Sequence, residues 1–307
     1  MNFDIGTLIG NLNKEKFFFD LDLVLEGGCM NGAYEVGGLT LIKELEKLGH
    51  FKIDRISGAS VGSYAGFLYL INKLELYTEY YEKMRDGFRD AAALNGLKDM
   101  LNKVCSEVDD ECFKSLQDGK LFIVYYDVIA KSPILKSKYE SREELAETIL
   151  KSCHVPFLIN GEAFYRTDSG CYMDGGMPHV FKPSRRKDKR TLYMKLTQLT
   201  RLQNILNVKG ETTIHGRVLE GMLDTYNFFL KGHDTTMCSY VDHWNITHTI
   251  RYNTFDTAWW ILIYMFYWMV AAYEAISPRL EKSATYHHFK PVLTTMYKEM
   301  VRYMVFM

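Results

Sequence analysis

Two short apolar segments, each followed by a glycine-rich turn and a helical pattern, constrain this fold more than any other feature. The first segment, LDLVLE, ends at Gly27-Gly28, and apolar residues then recur at helical spacing over 33–48. The second is a β-prone run over 53–57, followed by a tight turn and a helical pattern over 63–74. Successive strand, turn and helix units predict a parallel sheet covered by helices.

The rest of the chain continues the mixed pattern. Helical patterns occupy 75–108 and 141–153, the latter opened by Ser141 with Glu144 three residues on, as in a capping box. Strands are predicted over 121–130 and 191–197. We therefore expect an α/β fold, a three-layer sandwich with a central, mainly parallel sheet, plus an α-helical C-terminal extension.

Three regions follow from this pattern. Residues 1–20 form an N-terminal arm, 21–200 a catalytic core, and 201–307 a helical region packed on the core or at the membrane surface. With 307 residues, 47% of them hydrophobic, the chain can bury a sizeable core. A formal charge of -1 excludes a whole-chain attraction to nucleic acid, and we expect no nucleic-acid partner.

The N-terminal sequence and the cysteines indicate the cellular compartment of the protein. The first twenty residues lack a basic segment followed by a long apolar run, so we expect no signal peptide. Six dispersed cysteines without a CxxC pair indicate free thiols in a reducing compartment. We expect a cytoplasmic protein, with peripheral attachment to a membrane as an option.

The turn of the second unit reads Gly58-Ala59-Ser60-Val61-Gly62. Glycines on both sides of a serine allow a sharp bend between strand and helix, which exposes the hydroxyl at the carboxyl edge of the sheet. The following helix directs its positive N-terminal end toward developing negative charge. Ser60 is therefore a candidate nucleophile, although similar small-residue turns also serve helix packing.

The turn of the first unit, Glu26-Gly27-Gly28-Cys29-Met30-Asn31-Gly32, is the second candidate segment. Backbone N–H groups in such a loop converge on one point and can hold an oxyanion or a phosphate. The nucleotide alternative lacks a following Gly-Lys-Ser/Thr and the G-x-G-x-x-G spacing. An oxyanion hole beside Ser60 and a purely structural turn remain the alternatives.

Asp174-Gly175-Gly176 is the third segment, in which two glycines let an aspartate occupy a sharp loop. Taken in this order, the three segments resemble the patatin-like phospholipase family, whose members have a Ser-Asp dyad without histidine. The resemblance spans Leu23 to about Met177 and includes LVLEGGCMNGAYEVGGL and the segment Ser152–Phe157.

The resemblance implies a serine esterase that hydrolyses fatty-acyl esters of phospholipids or other lipids, without metal or organic cofactor. Ser60 would be the nucleophile and Asp174 its base, and the backbone of three residues would form the oxyanion hole: Gly27, Gly28 and Cys29. The supporting glycines of the motifs would be Gly32, Gly58, Gly62, Gly175 and Gly176.

Two residues depart from the family pattern. Cys29 occupies the place of a third glycine, and Asn31 the place of an arginine. A cysteine keeps the backbone donor if its φ/ψ is allowed, whereas the asparagine removes a cation. The alternative function is therefore a catalytically weakened lipid-binding or scaffold protein with the same fold.

A Ser-His-Asp triad and a metal site are two other kinds of site that the residue types allow. A Ser-His-Asp triad would use the same elbow, but the surroundings single out no histidine among His154, His179, His215, His233, His243 and His248. A metal site from His233, Asp234, Asp242, His243 and His248 has suitable residue types but matches no ligand spacing.

Two segments offer a route to the membrane. The run 182–190 holds six basic residues and one acid, so it is either a docking patch for anionic lipid or a solvated loop. Residues 257–273 are seventeen residues without a charge, rich in Trp and Tyr. We favour a helix buried against the core, with an interfacial or a spanning helix as alternatives.

Overall fold

A computed structural model describes residues 5–10, 12, 19–92, 96–159, 161–182, 186, 188–198, 201, 204–209, 211 and 213–306. Its strands are β1 (Phe19–Leu25), β2 (Phe51–Ala59), β3 (Leu121–Asp127), β4 (Ser132–Lys136), β5 (Tyr165–Thr167), β6 (Gly170–Asp174), β7 (Lys189–Met194) and β8 (Cys238–Tyr240).

The helices carry most of the remaining chain. They are α1 (Ile5–Gly10), α2 (Gly32–Lys47), α3 (Val61–Leu70), α4 (Leu76–Ala91), α5 (Leu97–Ser106), α6 (Asp110–Ser115), α7 (Arg142–Ser152), α8 (His215–Lys231), α9 (Ile246–Leu280) and α10 (Ala284–Phe306). Short helical turns occupy Cys29–Asn31, Leu116–Lys120 and Val241–His243.

The described strands form one sheet in the order β5-β6-β3-β2-β1-β7-β8, with β4 also paired to β3. The four central strands, β3, β2, β1 and β7, run parallel, whereas the flanking strands pair antiparallel. This arrangement confirms the predicted mainly parallel sheet. The carboxyl ends of β1, β2 and β3 consequently meet at one edge.

Alternation along the strands divides the core into two faces. Leu23 and Leu25 of β1 belong to the main cluster with residues of α2 and α3, while Val24 points to the opposite face. On that opposite face, Tyr126 of β3 packs against Ile263 of α9. Helices therefore cover both faces, and α9 supplies part of the third layer.

The local predictions hold with small differences. The predicted strand over 121–130 ends at Asp127, because the chain turns back into β4, which the sequence did not reveal. Ser141 caps α7 as predicted and accepts the N–H of Glu144 at 3.1 Å. The carboxylate of Glu144 binds the N–H of Glu140 rather than that of the cap residue, so only half of the capping box forms.

The long helix α9 packs against the rest of the protein along one narrow stripe. Ile263 and Val270 are its buried residues, and only 11% of its most apolar window is buried. The preferred prediction for 257–273, a helix buried against the core, is therefore wrong, because only one stripe of the helix meets the sheet. By length and composition, this helix qualifies as a possible membrane span, which is weak evidence by itself.

Candidate active site

Ser60 lies at the elbow between β2 and α3. Its backbone has φ 52° and ψ −130°, a conformation that costs a non-glycine residue of order 1–3 kcal/mol. A Cβ at Gly58 would come within 2.5 Å of the Gly62 oxygen, and a Cβ at Gly62 within 2.5 Å of the Leu25 oxygen. Both motif glycines are therefore required by close backbone contacts, as the turn chemistry predicted.

Asp174, the last residue of β6, lies next to Ser60 along β3. Because β4 occupies one side of β3, Ala59 and Asp174 pair on the other side with the consecutive residues Val124 and Tyr125. The buried carboxyl of Asp174 accepts the Gly176 N–H at 2.7 Å. Burial raises its pKa to about 6, and the nearby Ser60 hydroxyl and the Gly176 N–H limit the rise.

Ser152 holds the backbone of the elbow. Its hydroxyl donates to the Val124 carbonyl at 2.7 Å and accepts the N–H of Ser60 at 2.9 Å. The Ser60 N–H is thus occupied and is unsuitable as a donor to an oxyanion. In the sequence, Ser152 is noticeable only as the first residue of the family-like segment Ser152–Phe157. Its position at the end of α7 gives no signal for this role.

The glycine loop lies directly beside the serine. A Cβ at Gly27 would be 3.0 Å from the Ser60 Cβ, and one at Gly28 would be 2.9 Å from the Leu196 Cβ. Within the described part of the chain, the backbone N–H groups of Gly27, Gly28 and Cys29 form no hydrogen bond. Free donors next to a hydroxyl are what an oxyanion hole requires.

Cys29 takes a backbone conformation that suits the glycine it replaces. Its φ is 48°, in the left-handed region that glycine adopts freely. This conformation costs a non-glycine residue about 1–2 kcal/mol. Burial raises the pKa of its thiol to about 12, with a smaller contribution from nearby Asp174. The side chain is therefore a neutral thiol beside the dyad, and the backbone donor is retained.

Asn31 is tied to a cation from outside the motif. Its amide donates to the Arg201 carbonyl at 3.0 Å, and its side-chain oxygen accepts from the guanidinium of Arg217 at 3.0 Å. Arg217 also binds Glu211 and the carbonyls of Asn204 and Asn207. Sequence reasoning missed this residue, because it lies on α8, far along the chain.

Close helix packing explains how α8 reaches the loop. A Cβ at Gly37 of α2 would overlap the Val218 carbonyl, and one at Gly221 of α8 would overlap the Tyr34 carbonyl. Glycine at both positions lets the two helices approach backbone to backbone. Arg217 is thereby brought behind the glycine loop, where its side chain is buried.

The remaining motif glycines also make close contacts. A Cβ at Gly32 would meet Tyr77, one at Gly175 would come within 2.5 Å of the Val124 oxygen, and one at Gly176 would overlap Trp259. Gly176 has φ 70°. The indole N–H of Trp259 in α9 donates to the Asp174 carbonyl at 3.5 Å, so α9 lies directly on the aspartate turn.

The histidine and metal alternatives do not assemble. In the described chain, no histidine side chain forms a hydrogen bond with Ser60 or Asp174. Burial lowers the pKa of His154 to about 4 and, together with Arg55, lowers that of His179. No group of three metal-binding side chains gathers among the described residues.

The basic run 182–190 lies at the sheet edge opposite Ser60, because β7 begins beside the amino end of β1. Arg186 pairs with Asp20 at 2.9 Å, and Lys189 pairs with Asp22 at 3.0 Å. Residues 183–185 and 187 lie outside the described residues, as do 1–4, 11 and 13–18 of the predicted arm. Of the described basic side chains, Arg186 and Lys189 form internal ion pairs, and Arg190 lies over the rings of Phe19 and Tyr240.

Comparison with models of known protein families gives a match that covers the candidate site. The family model for patatin-like phospholipase matches residues 23–180, more than half of the chain. This range contains the glycine loop, the serine elbow and the aspartate turn. No curated protein matches the chain significantly.

Proposed function

The chain belongs to the patatin-like phospholipase family, and we propose that it hydrolyses fatty-acyl esters of phospholipids as a serine esterase with a Ser60-Asp174 dyad. The observation that carries the proposal is the position of the Ser60 hydroxyl, beside Gly27 and near enough to the buried Asp174 carboxyl to lower its pKa. A buried carboxylate with a raised pKa accepts a serine proton more readily than a solvated one.

The proposed reaction has two halves. Asp174 takes the hydroxyl proton of Ser60 as the serine oxygen attacks the ester carbonyl carbon. The new oxyanion accepts hydrogen bonds from the N–H groups of Gly27, Gly28 and Cys29. Collapse breaks the ester bond, and the Asp174 proton passes to the leaving alcohol. Water then attacks the acyl-serine as Asp174 again accepts a proton, and collapse releases the fatty acid while this proton returns to the Ser60 oxygen.

A cysteine thiol near the dyad is not needed in this scheme. The thiol of Cys29 keeps its proton at neutral pH, since burial raises its pKa to about 12. A thiol competes as a nucleophile only as thiolate. Ser60 is therefore the residue that we expect to carry the acyl group.

We further propose that α9 and α10 dock the protein on a membrane surface. Both helices expose large apolar side chains, including Ile261, Met265 and Trp268 on α9 and Phe289, Leu293 and Met296 on α10. An apolar surface of this extent on a soluble protein marks an interaction site. Because Trp259 contacts the Asp174 turn, docking through α9 would bring the lipid to the dyad.

The second candidate is a lipid-binding protein with little or no activity. The left-handed Cys29 and the loss of the motif cation at Asn31 favour it. Arg217 weighs against it, because this buried cation contacts Asn31. A fluorophosphonate probe distinguishes the two, since a working dyad labels Ser60 and a scaffold does not.

The test of the proposed function is lipid-product analysis on mixed phospholipid vesicles. We expect released fatty acid and lysophospholipid with the wild type, and losses of at least about a thousandfold in Ser60→Ala and Asp174→Ala that are not additive. Ser63→Ala is the matched control, since this neighbouring hydroxyl faces the Ser60 carbonyl rather than the carboxylate. Unchanged lipids with the wild type would favour the scaffold function instead.

Docking is tested separately by vesicle flotation. The paired change Met265→Glu and Trp268→Glu should abolish flotation while hydrolysis of a soluble ester persists. Lys290→Glu is the control, because it adds a similar charge change on α10 without removing an apolar side chain. Flotation unaffected by the paired change would refute docking through α9.

A further inference from the structure

A pocket opens between the end of β7, the segment before β8 and the first turns of α9. Its wall includes Lys195, Thr197, Thr236, Trp244, Arg251 and Tyr252. The cavity volume is about 60 Å³. Since one water molecule needs about 10–15 Å³ by the same kind of measure, the space suits a group of about four or five heavy atoms.

Two cations face this pocket without a carboxylate partner. The backbone N–H of Lys195 binds the Met237 carbonyl at 2.8 Å, which fixes its position across from the segment before β8. Within the described chain, the half-buried ammonium of Lys195 forms no hydrogen bond or ion pair. Among the described residues, Arg251 donates to the Thr197 carbonyl at 3.3 Å, and its guanidinium lies over the Phe255 ring.

The two carboxylates of the wall are engaged elsewhere. Glu26 accepts the Tyr193 hydroxyl at 2.6 Å, the Leu196 N–H at 2.7 Å, and both the N–H and the hydroxyl of Thr197 at 2.7 Å. Asp234 lies 3.8 Å from the ring of His248. The Thr236 hydroxyl likewise donates to Asp224, so the side chains of the wall that remain open to an anion are Lys195 and Arg251.

Burial and charge repulsion both act on the lysine. Removal from water lowers the pKa of Lys195, and the nearby charge of Arg251 lowers it further, while the Glu26 carboxylate offsets part of this decrease. Placing two cations together in a partly buried space costs free energy unless an anion neutralises them. A bound anion would remove this cost, which is the usual reason for such a cluster.

The pocket shares its wall with the dyad. Glu26 immediately precedes Gly27 of the oxyanion loop, and Met177, also in the wall, immediately follows Gly176. The chain that forms the catalytic loops thus continues into the pocket. A lipid with its ester carbonyl at Ser60 would have its polar end within reach of this space.

We propose that the pocket binds the phosphate of the phospholipid head group, with Lys195 and Arg251 as its cationic ligands. This inference rests on the proposed function for the identity of the lipid, but not for the phosphate site itself. Lysine and arginine form charge-assisted hydrogen bonds with phosphate oxygens. The role of the site is to select an anionic head group and to hold the ester at the serine.

The first experiment measures inorganic phosphate binding by calorimetry on the full-length Ser60→Ala protein, so hydrolysis is not required. We expect saturable binding that weakens about tenfold in Lys195→Gln and in Arg251→Gln, the loss of one charged hydrogen bond. Lys195→Arg should retain binding, and the remote, exposed Lys52→Gln should match its parent. Absence of saturable binding, or equal binding by all variants, would overturn the site.

The second experiment decides between a lipid head group and free phosphate as the natural occupant. Inorganic phosphate should compete with hydrolysis of phosphatidylglycerol vesicles, and Lys195→Gln should lower the ratio of this activity to hydrolysis of a phosphate-free soluble ester about tenfold. Phosphate that binds without competing would refute the head-group assignment. If the wild type hydrolyses neither ester, the proposed function fails, and the calorimetric result still decides the site.

Discussion

Arg217 donates to the side-chain oxygen of Asn31 at 3.0 Å, although the two residues are 186 positions apart in the chain. The contact places a buried guanidinium behind the glycine loop, at the residue where the family pattern has its own arginine. Arg217 lies on α8, outside the matched range, and we propose that it takes the role of the arginine that the family pattern has at residue 31. The loop and α8 therefore act as one unit.

We predict that Arg217→Gln lowers kcat about 10- to 100-fold with a smaller change in KM, because Asn31 of the loop loses its charge-assisted hydrogen bond and the carbonyls of Asn204 and Asn207 lose theirs. Arg217→Lys should recover part of the loss. Glu211→Gln is the control, since it weakens the ion pair of Arg217 but leaves the Asn31 contact. An unchanged kcat in Arg217→Gln would show that the arginine is only structural.

The pH dependence of hydrolysis follows from Asp174. The base must be ionised to accept a proton, and burial raises its pKa to about 6. We expect kcat/KM for a soluble ester to rise with pH through an apparent pKa near 6 and to level off above it. A profile that follows an ordinary carboxylate, already flat at pH 5, would contradict the assignment of Asp174 as the base.

Removing the same charge should stabilise the fold. The folded protein holds the Asp174 proton more tightly than the unfolded chain, so ionisation lowers the free energy of unfolding as pH rises from about 4 to 6. Asp174→Asn should therefore add about 3 kcal/mol near pH 8 and about 1 kcal/mol near pH 4.5. Denaturant titrations at both pH values measure the difference, with Ser60→Ala as a control that leaves the carboxyl in place.

The left-handed conformation of Cys29 gives a matched pair of substitutions. Cys29→Gly should keep the activity, because glycine adopts φ 48° without strain and retains the backbone donor. Cys29→Val should lose most of it, since a β-branched residue resists this conformation and distorts the loop. Ester hydrolysis with checked folding by circular dichroism tests the pair, and equal activities would mean that the backbone path of residue 29 is unimportant.

The sequence predicted the features that depend on residues close together in the chain. The glycines around Ser60 predicted the elbow, and the alternation of strand and helix patterns predicted the parallel centre of the sheet. The residues that hold the two loops were harder to predict, because Ser152 behind Ser60 and Arg217 behind Asn31 reach the site only through tertiary packing. The exposure of α9 was mispredicted for a related reason: an apolar composition does not say how much of a helix a neighbour covers.

The position of β7 has a consequence for dissecting this protein. β7 pairs with β1 along Asp20 to Leu25, yet it lies beyond residue 180, where the family match ends. A fragment trimmed to the matched range would leave β1 with a row of unsatisfied peptide groups, an edge that recruits other chains. Such a fragment should form aggregates rather than a minimal enzyme, so useful truncations must keep the chain at least through β8.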